Sequence, residues 1–116
     1  MFNLRKIFGG HKIKVDESTE ITVDYYEGLL TENLPVYFVD IEEYFGKHKK
    51  IYQVENNNSR FLLFDLAVLE FVRIKQLDFD VIHCNDWHTG MIPFFMATRY
   101  KEEPLIQKMA SVWTIQ

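Results

Sequence analysis

At 116 residues, with 47% apolar and 26% charged side chains, the chain has the make-up of one small globular domain or part of a larger one. A net charge of −4 gives no electrostatic case for nucleic acid or an anionic membrane, and the single cysteine, Cys84, excludes an internal disulfide and suits a reducing compartment. The N-terminus lacks the apolar run of a secretory signal, and no window approaches the ~20 apolar residues that cross a bilayer, so a soluble cytoplasmic protein is expected.

Residues 1–19 are weakly patterned. Gly9 and Gly10 follow a poor strand and open no clear helix, so they are not a dinucleotide fingerprint. Ile21 to Tyr26 and Val36 to Ile41 are rich in β-branched and aromatic residues and flank Thr31, Glu32 and Asn33, which predicts strand, loop, strand. Pro35 should mark the start of the second strand, since proline cannot donate to a ladder. Gly46 to Lys50 is a basic loop, read as a solvated turn with contact to an anionic substrate as the alternative.

From Ser59 to Gln76 the period changes. Phe61, Leu62, Phe64, Leu66, Leu69, Phe71, Val72 and Ile74 fall largely at three- and four-residue spacings, which predicts a mostly buried helix capped by Asn58 or Ser59. Val81 to Cys84 reads as a short buried strand. Trp87 to Tyr100 reads as a second helix, with Asn85 or Asp86 able to cap it and Pro93 forcing a late start or an irregularity. A turn of helix over Leu105 to Met109 and a strand over Ser111 to Ile115 complete the order strand, helix, strand, helix, strand. Crossovers of this length imply parallel strands. The expected class is α/β, a partial doubly wound (Rossmann-like) parallel sheet. The last strand reaches Gln116 with no helix after it, so the expectation is a piece of a larger fold: a poorly patterned segment over 1–33 that holds one strand, and a partial α/β domain over 34–116.

The polar turn His83, Asn85, Asp86, Trp87, His88 follows an apolar strand and precedes an apolar helical run. Ligands of open α/β sheets sit outside the carboxyl ends of the strands, so chemistry is expected here. Three plainer readings stand beside that one. Asp86 could be only a helix cap, Trp87 and Trp113 only core, and Cys84 inert packing. His83, Asp86 and His88 could also be metal ligands, in a small metal-dependent hydrolase.

The same residues resemble a known family. Leu34-Pro35-Val36-Tyr37-Phe38-Val39-Asp40, then Glu43-Tyr44-Phe45 and Ile51-Tyr52, resemble a strand and aromatic segment of bacterial glycogen synthases and plant starch synthases. Asn57-Asn58-Ser59-Arg60-Phe61 is similar to the family's Asp-Asn-x-x-Arg-Phe, with Asn56 at the aspartate. Ala67-Val68-Leu69-Glu70 resembles its Ala-Ala-Leu-Glu helix. Asp80-Val81-Ile82-His83, Asp86-Trp87-His88-Thr89 and Ile92-Pro93 resemble its most specific local signature, and Ser111 to Ile115 a later strand.

The resemblance implies the incomplete N-terminal, acceptor-side half of a GT-B fold, which has two Rossmann-like domains. It implies transfer of glucose with retention from ADP-glucose (or UDP-glucose) to the non-reducing 4-hydroxyl of an α-1,4-glucan. No metal or other cofactor is needed, and no nucleic acid or membrane is involved; the setting is cytoplasmic, or a plastid in a plant. Asp86 would stand beside the reacting sugars, Tyr52 and Trp87 would line the acceptor groove, and His88 would support the turn. Gln116 takes the place of a histidine that touches the donor glucose, and Asn85 that of a second histidine. The family's Lys-Thr-Gly-Gly-Leu donor loop has no counterpart here, and most of the nucleotide site belongs to a missing C-terminal domain. Inactivity in isolation is therefore expected. The alternative is a non-catalytic module of the same descent that binds glucan or a partner through Tyr52, Trp87 and the exposed sheet edge.

Overall fold

The computed structural model describes residues 4–45, 49–50 and 57–115. It divides into two compact units, residues 1–54 and 55–116.

The first unit is an antiparallel sheet in the order β1 (Arg5–Lys14), β2 (Thr19–Thr31), β3 (Leu34–Phe45) and the two-residue β4 (Lys49–Lys50). The predicted hairpin is present: β2 pairs with β3 from Thr19 opposite Phe45 to Thr31 opposite Leu34, and Pro35 is the second residue of its strand. Alternation does the folding here. Ile21, Val23 and Tyr25 point to one face of β2 and are buried, together with Ile13 of the neighbouring strand.

β1 runs through the weakly patterned residues 1–19. Its period is broken by register shifts between Lys6 and Phe8 and between Phe8 and His11. Gly10 lies at φ +67°, the left-handed region that a bulge glycine supplies. Its N–H donates to Asp24 Oδ1 at 2.7 Å, and that bond, ahead of Lys6, holds the Asp24 carboxyl below its ordinary range. The turn into β2 is closed by Asp16, whose Oδ1 accepts from the N–H groups of Ser18 and Thr19, both at 2.8 Å.

The second unit holds α1 (Asn57–Lys75), β5 (Val81–Asn85), a 3₁₀ turn (Trp87–Thr89), α2 (Met91–Ala97), α3 (Pro104–Gln107) and β6 (Ala110–Thr114). β5 and β6 are parallel, from Val81 opposite Ala110 to Asn85 opposite Thr114. The class is thus mixed α/β with a parallel pair, as expected. Of the two expected parallel crossovers, the one joining β5 to β6 is present; the strand before α1 belongs to the antiparallel sheet.

α1 begins at Asn57, so Asn58 and Ser59 lie inside it and are not its caps. It ends on Gln76 at φ 55°, with the Leu77 N–H returning to the Val72 carbonyl. Its buried residues Leu63, Leu66, Ala67, Leu69, Phe71 and Val72 meet Ile92 and Met96 of α2 and Ile106 of α3 in one core. Buried Glu70 ties the far end: its carboxylate accepts from Tyr100 Oη at 2.9 Å and from Arg73 Nε at 2.9 Å. Gln107 Nε2 donates to the carbonyls of Met96 and Tyr100, which satisfies the end of α2 and the turn after it.

β5 is not buried throughout. Cys84 is sealed, but Val81 is 54% exposed, because its face of the two-stranded sheet is uncovered by any described residue. The expected helix from Trp87 to Tyr100 is broken instead into the 3₁₀ turn and α2. Among the described residues, no helix is long and apolar enough to cross a membrane.

Candidate functional site

The polar turn is built at the carboxyl end of β5. His83 and Asn85 project to the open face of the strand and Cys84 to the core, as alternation requires. Asp86 then takes φ 67°, a left-handed conformation that aspartate tolerates better than most residues. This one residue swings the chain from strand to helix.

Main-chain bonds fix the swing. The Asp86 N–H donates to the Thr114 carbonyl at 2.8 Å, extending the parallel ladder by one rung. The Asp86 carbonyl accepts from Trp113 Nε1 at 2.7 Å, from Thr89 Oγ1 at 3.1 Å and from the Thr89 N–H at 3.4 Å. Thr89 Oγ1 also reaches the Asn85 carbonyl at 3.0 Å.

The Asp86 side chain is half-buried at the sheet's carboxyl edge. It is not the N-cap of α2: Gly90 occupies that position. Asn85 and Asp86 therefore lie before the N-cap position of α2. Trp113 also departs from expectation. It is 47% exposed, with its indole N–H bonded to the turn, so it is not a core residue.

The histidines have separate partners. His83 Nε2 lies 2.9 Å from Thr114 Oγ1 across the parallel pair. The half-buried His88 ring meets Phe61 of α1 edge to face, 4.3 Å between centroids. Among the described residues, no three His, Cys, Asp or Glu side chains are grouped to hold a metal ion. Trp87 contributes its backbone to the 3₁₀ turn; its side chain lies outside what is described, as do Tyr52 and Gln116.

Cys84 is buried beneath the turn. Burial first, and the Asp65 charge second, push its thiol above the ordinary range, which leaves it a poor nucleophile. The inert reading of Cys84 fits.

Asp65 was not singled out by sequence reasoning. It is fully buried on α1, its Oδ2 accepts the Met91 N–H at 3.2 Å, and its Oδ1 has no hydrogen-bond partner among the described residues. Desolvation outweighs that single bond and pushes its carboxyl up to about 7. The signal was present: Asp65 stands four residues from both Phe61 and Leu69, in the apolar stripe of the helix.

Comparison with known proteins bears on this geometry. The family model for the starch synthase catalytic domain matches residues 2–116, extending well upstream of Leu34. A glycogen synthase of Desulforamulus reducens is 41% identical over 91 residues, covering 77% of this chain and 18% of its own. Those of Photobacterium profundum and Thermodesulfovibrio yellowstonii are 40% and 32% identical over 105 and 120 residues, covering 85% and 97% of this chain. The chain spans only 20% and 23% of their respective lengths. The catalytic domain of Arabidopsis thaliana starch synthase IV, solved with ADP and acarbose, superposes with a TM-score of 0.76 at 22% identity, covering 98% of this chain and 23% of that one. That likeness extends the fold to the GT-B class.

Proposed function

Because the chain belongs to the starch synthase catalytic-domain family, we propose that it forms the acceptor-side part of a glucosyltransferase that elongates an α-1,4-glucan from ADP-glucose. The ordered family match over residues 2–116 carries this reading. The ADP bound in the starch synthase IV structure is the group that ADP-glucose would leave behind, which supports adenine over uracil.

In this reading the half-buried Asp86 carboxylate faces the reacting sugars. It orients a glucose hydroxyl and opposes the positive charge that develops at the anomeric carbon, the kind of preorganised electrostatics on which such transfers depend. Its position supports that role, since the turn stands where ligands of parallel sheets collect. Trp87 and Tyr52 offer ring faces to sugar C–H groups, Gln116 gives the donor glucose an amide hydrogen bond without charge, and His88 braces the turn against Phe61. The setting is cytoplasmic.

The chain spans 18–23% of the lengths of the three relatives named above, so the reading assigns the rest of the donor site to sequence beyond these 116 residues. The chain alone should incorporate no glucose from ADP-glucose into glycogen. Grafted in place of the matching segment of the Desulforamulus reducens enzyme, it should support transfer, and Asp86→Asn in the graft should lower kcat by roughly 100-fold. A graft that is fully active with Asp86→Asn would overturn the role of the carboxylate.

The same short coverage favours one second reading, a non-catalytic module that binds glucan. Titration with maltooligosaccharides separates the two: binding that Trp87→Ala abolishes, with a graft that never turns over, selects the module.

A further inference from the structure

The first amide of α2, just past the polar turn, is held to α1 by an unusual acceptor. Asp65 is 0% exposed, and its Oδ2 receives the first amide of α2. The acceptor is neither a serine nor an amide but an acid, placed in an apolar stripe with its second oxygen unsatisfied among the described residues. A buried neutral carboxyl leaves one uncharged polar group unmatched. A buried carboxylate leaves charge unsolvated, a far larger cost.

We propose that Asp65 is a proton-dependent clasp: the neutral acid holds the segment from Asp86 to Met91 against α1, and loss of its proton releases that segment. The clasp acts on the whole polar turn, because Met91 follows Thr89 and Gly90 directly, and Thr89 is bonded to the Asp86 carbonyl. It concerns how the turn is held, so it stands or falls separately from the sugar reading.

Little else near Asp65 ionises. α2, α3 and β6 contain no ionisable side chain. From β5 the facing group is Cys84, whose thiol feels the Asp65 charge. From the 3₁₀ turn it is His88, which packs on Phe61 one helical turn before Asp65. On α1 itself, Glu70 is already engaged by Arg73 and Tyr100. No described cation is paired with Asp65, so desolvation sets its behaviour, and the buried carboxyl holds its proton up to about 7.

The test is a pH series from 4.5 to 9 on the full chain, read by the side-chain carboxyl ¹³C shift of Asp65 and by the amide resonances of Thr89, Gly90 and Met91. The clasp requires a carboxyl midpoint near 7 and amide shifts that follow it with the same midpoint. Asp65→Asn, which keeps the acceptor but cannot ionise, should hold the three amides in their low-pH positions throughout. If the wild-type chain is already poorly folded at pH 8, Asp65→Asn should raise its helical circular dichroism there. A carboxyl midpoint near 4, or amides that titrate identically with Asp65→Asn, would overturn the clasp.

Discussion

The two units close their backbones in opposite ways. In the first, the sheet is the core: Ile21, Val23 and Tyr25, all from the central strand β2, are fully buried. In the second, the helices are the core. Of the parallel pair only Cys84 is buried, while Val112 and Trp113 of β6 are 47% exposed. The parallel strands act there as a ledge that carries residues to an edge, while packing between α1, α2 and α3 supplies the cohesion. A side chain on such a ledge is free to meet a ligand, since little of the core depends on it.

Three experiments would sharpen or break this contrast. The largest effect should come from the acid inside the helical core. Unfolded, Asp65 ionises near 3.8; folded, near 7. Stability from this residue is therefore full below pH 4 and falls as pH rises to 7, by on the order of 4 kcal/mol at 1.36 kcal/mol per unit. Urea midpoints of the wild-type chain and of Asp65→Asn should diverge over that window, the variant being the more stable at pH 8. Parallel curves would remove the acid from the account.

Next, Leu66→Ala should cost about 3 kcal/mol, because Leu66 sits at the centre of the helical core. Its helical circular dichroism should be lost at lower urea while the β signal persists. Simultaneous loss of both signals would show the two units melting as one.

The smallest effect belongs to the sheet. A Cβ at Gly10 would meet no atom within 4 Å, so Gly10→Ala carries only the left-handed backbone penalty, roughly 1–2 kcal/mol. Gly10→Asn should cost less, since asparagine tolerates that conformation. Equal losses in thermal melts would mean that the bulge is not what the glycine serves.

Legibility followed the same division. α1 and the β2–β3 hairpin were readable because their periods run unbroken through residues such as Leu66, Leu69 and Val72, or Ile21, Val23 and Tyr25. β1 was hidden because the bulge at Gly10 shifts the alternation halfway along. The helix drawn from Trp87 to Tyr100 failed at Asp86 and Gly90, where one left-handed residue and a 3₁₀ turn delay the start of α2 to Met91. The position of the Asp86 turn followed from the apolar strand before it. Trp113 did not, since its aromatic character hides the fact that its indole N–H serves the Asp86 carbonyl 27 residues earlier. Asp65 interrupts the apolar stripe of α1, and the burial of its neighbours shows what surrounds it.

The scaffolding of residue 86 has a practical bearing. Its amide and its carbonyl make bonds that bring Thr89, Trp113 and Thr114 together. Asparagine and glycine are both at ease with φ 67°, so either can stand there with the backbone in the same left-handed conformation. The backbone at residue 86 thus limits which replacements leave the main-chain bonds of the turn unstrained.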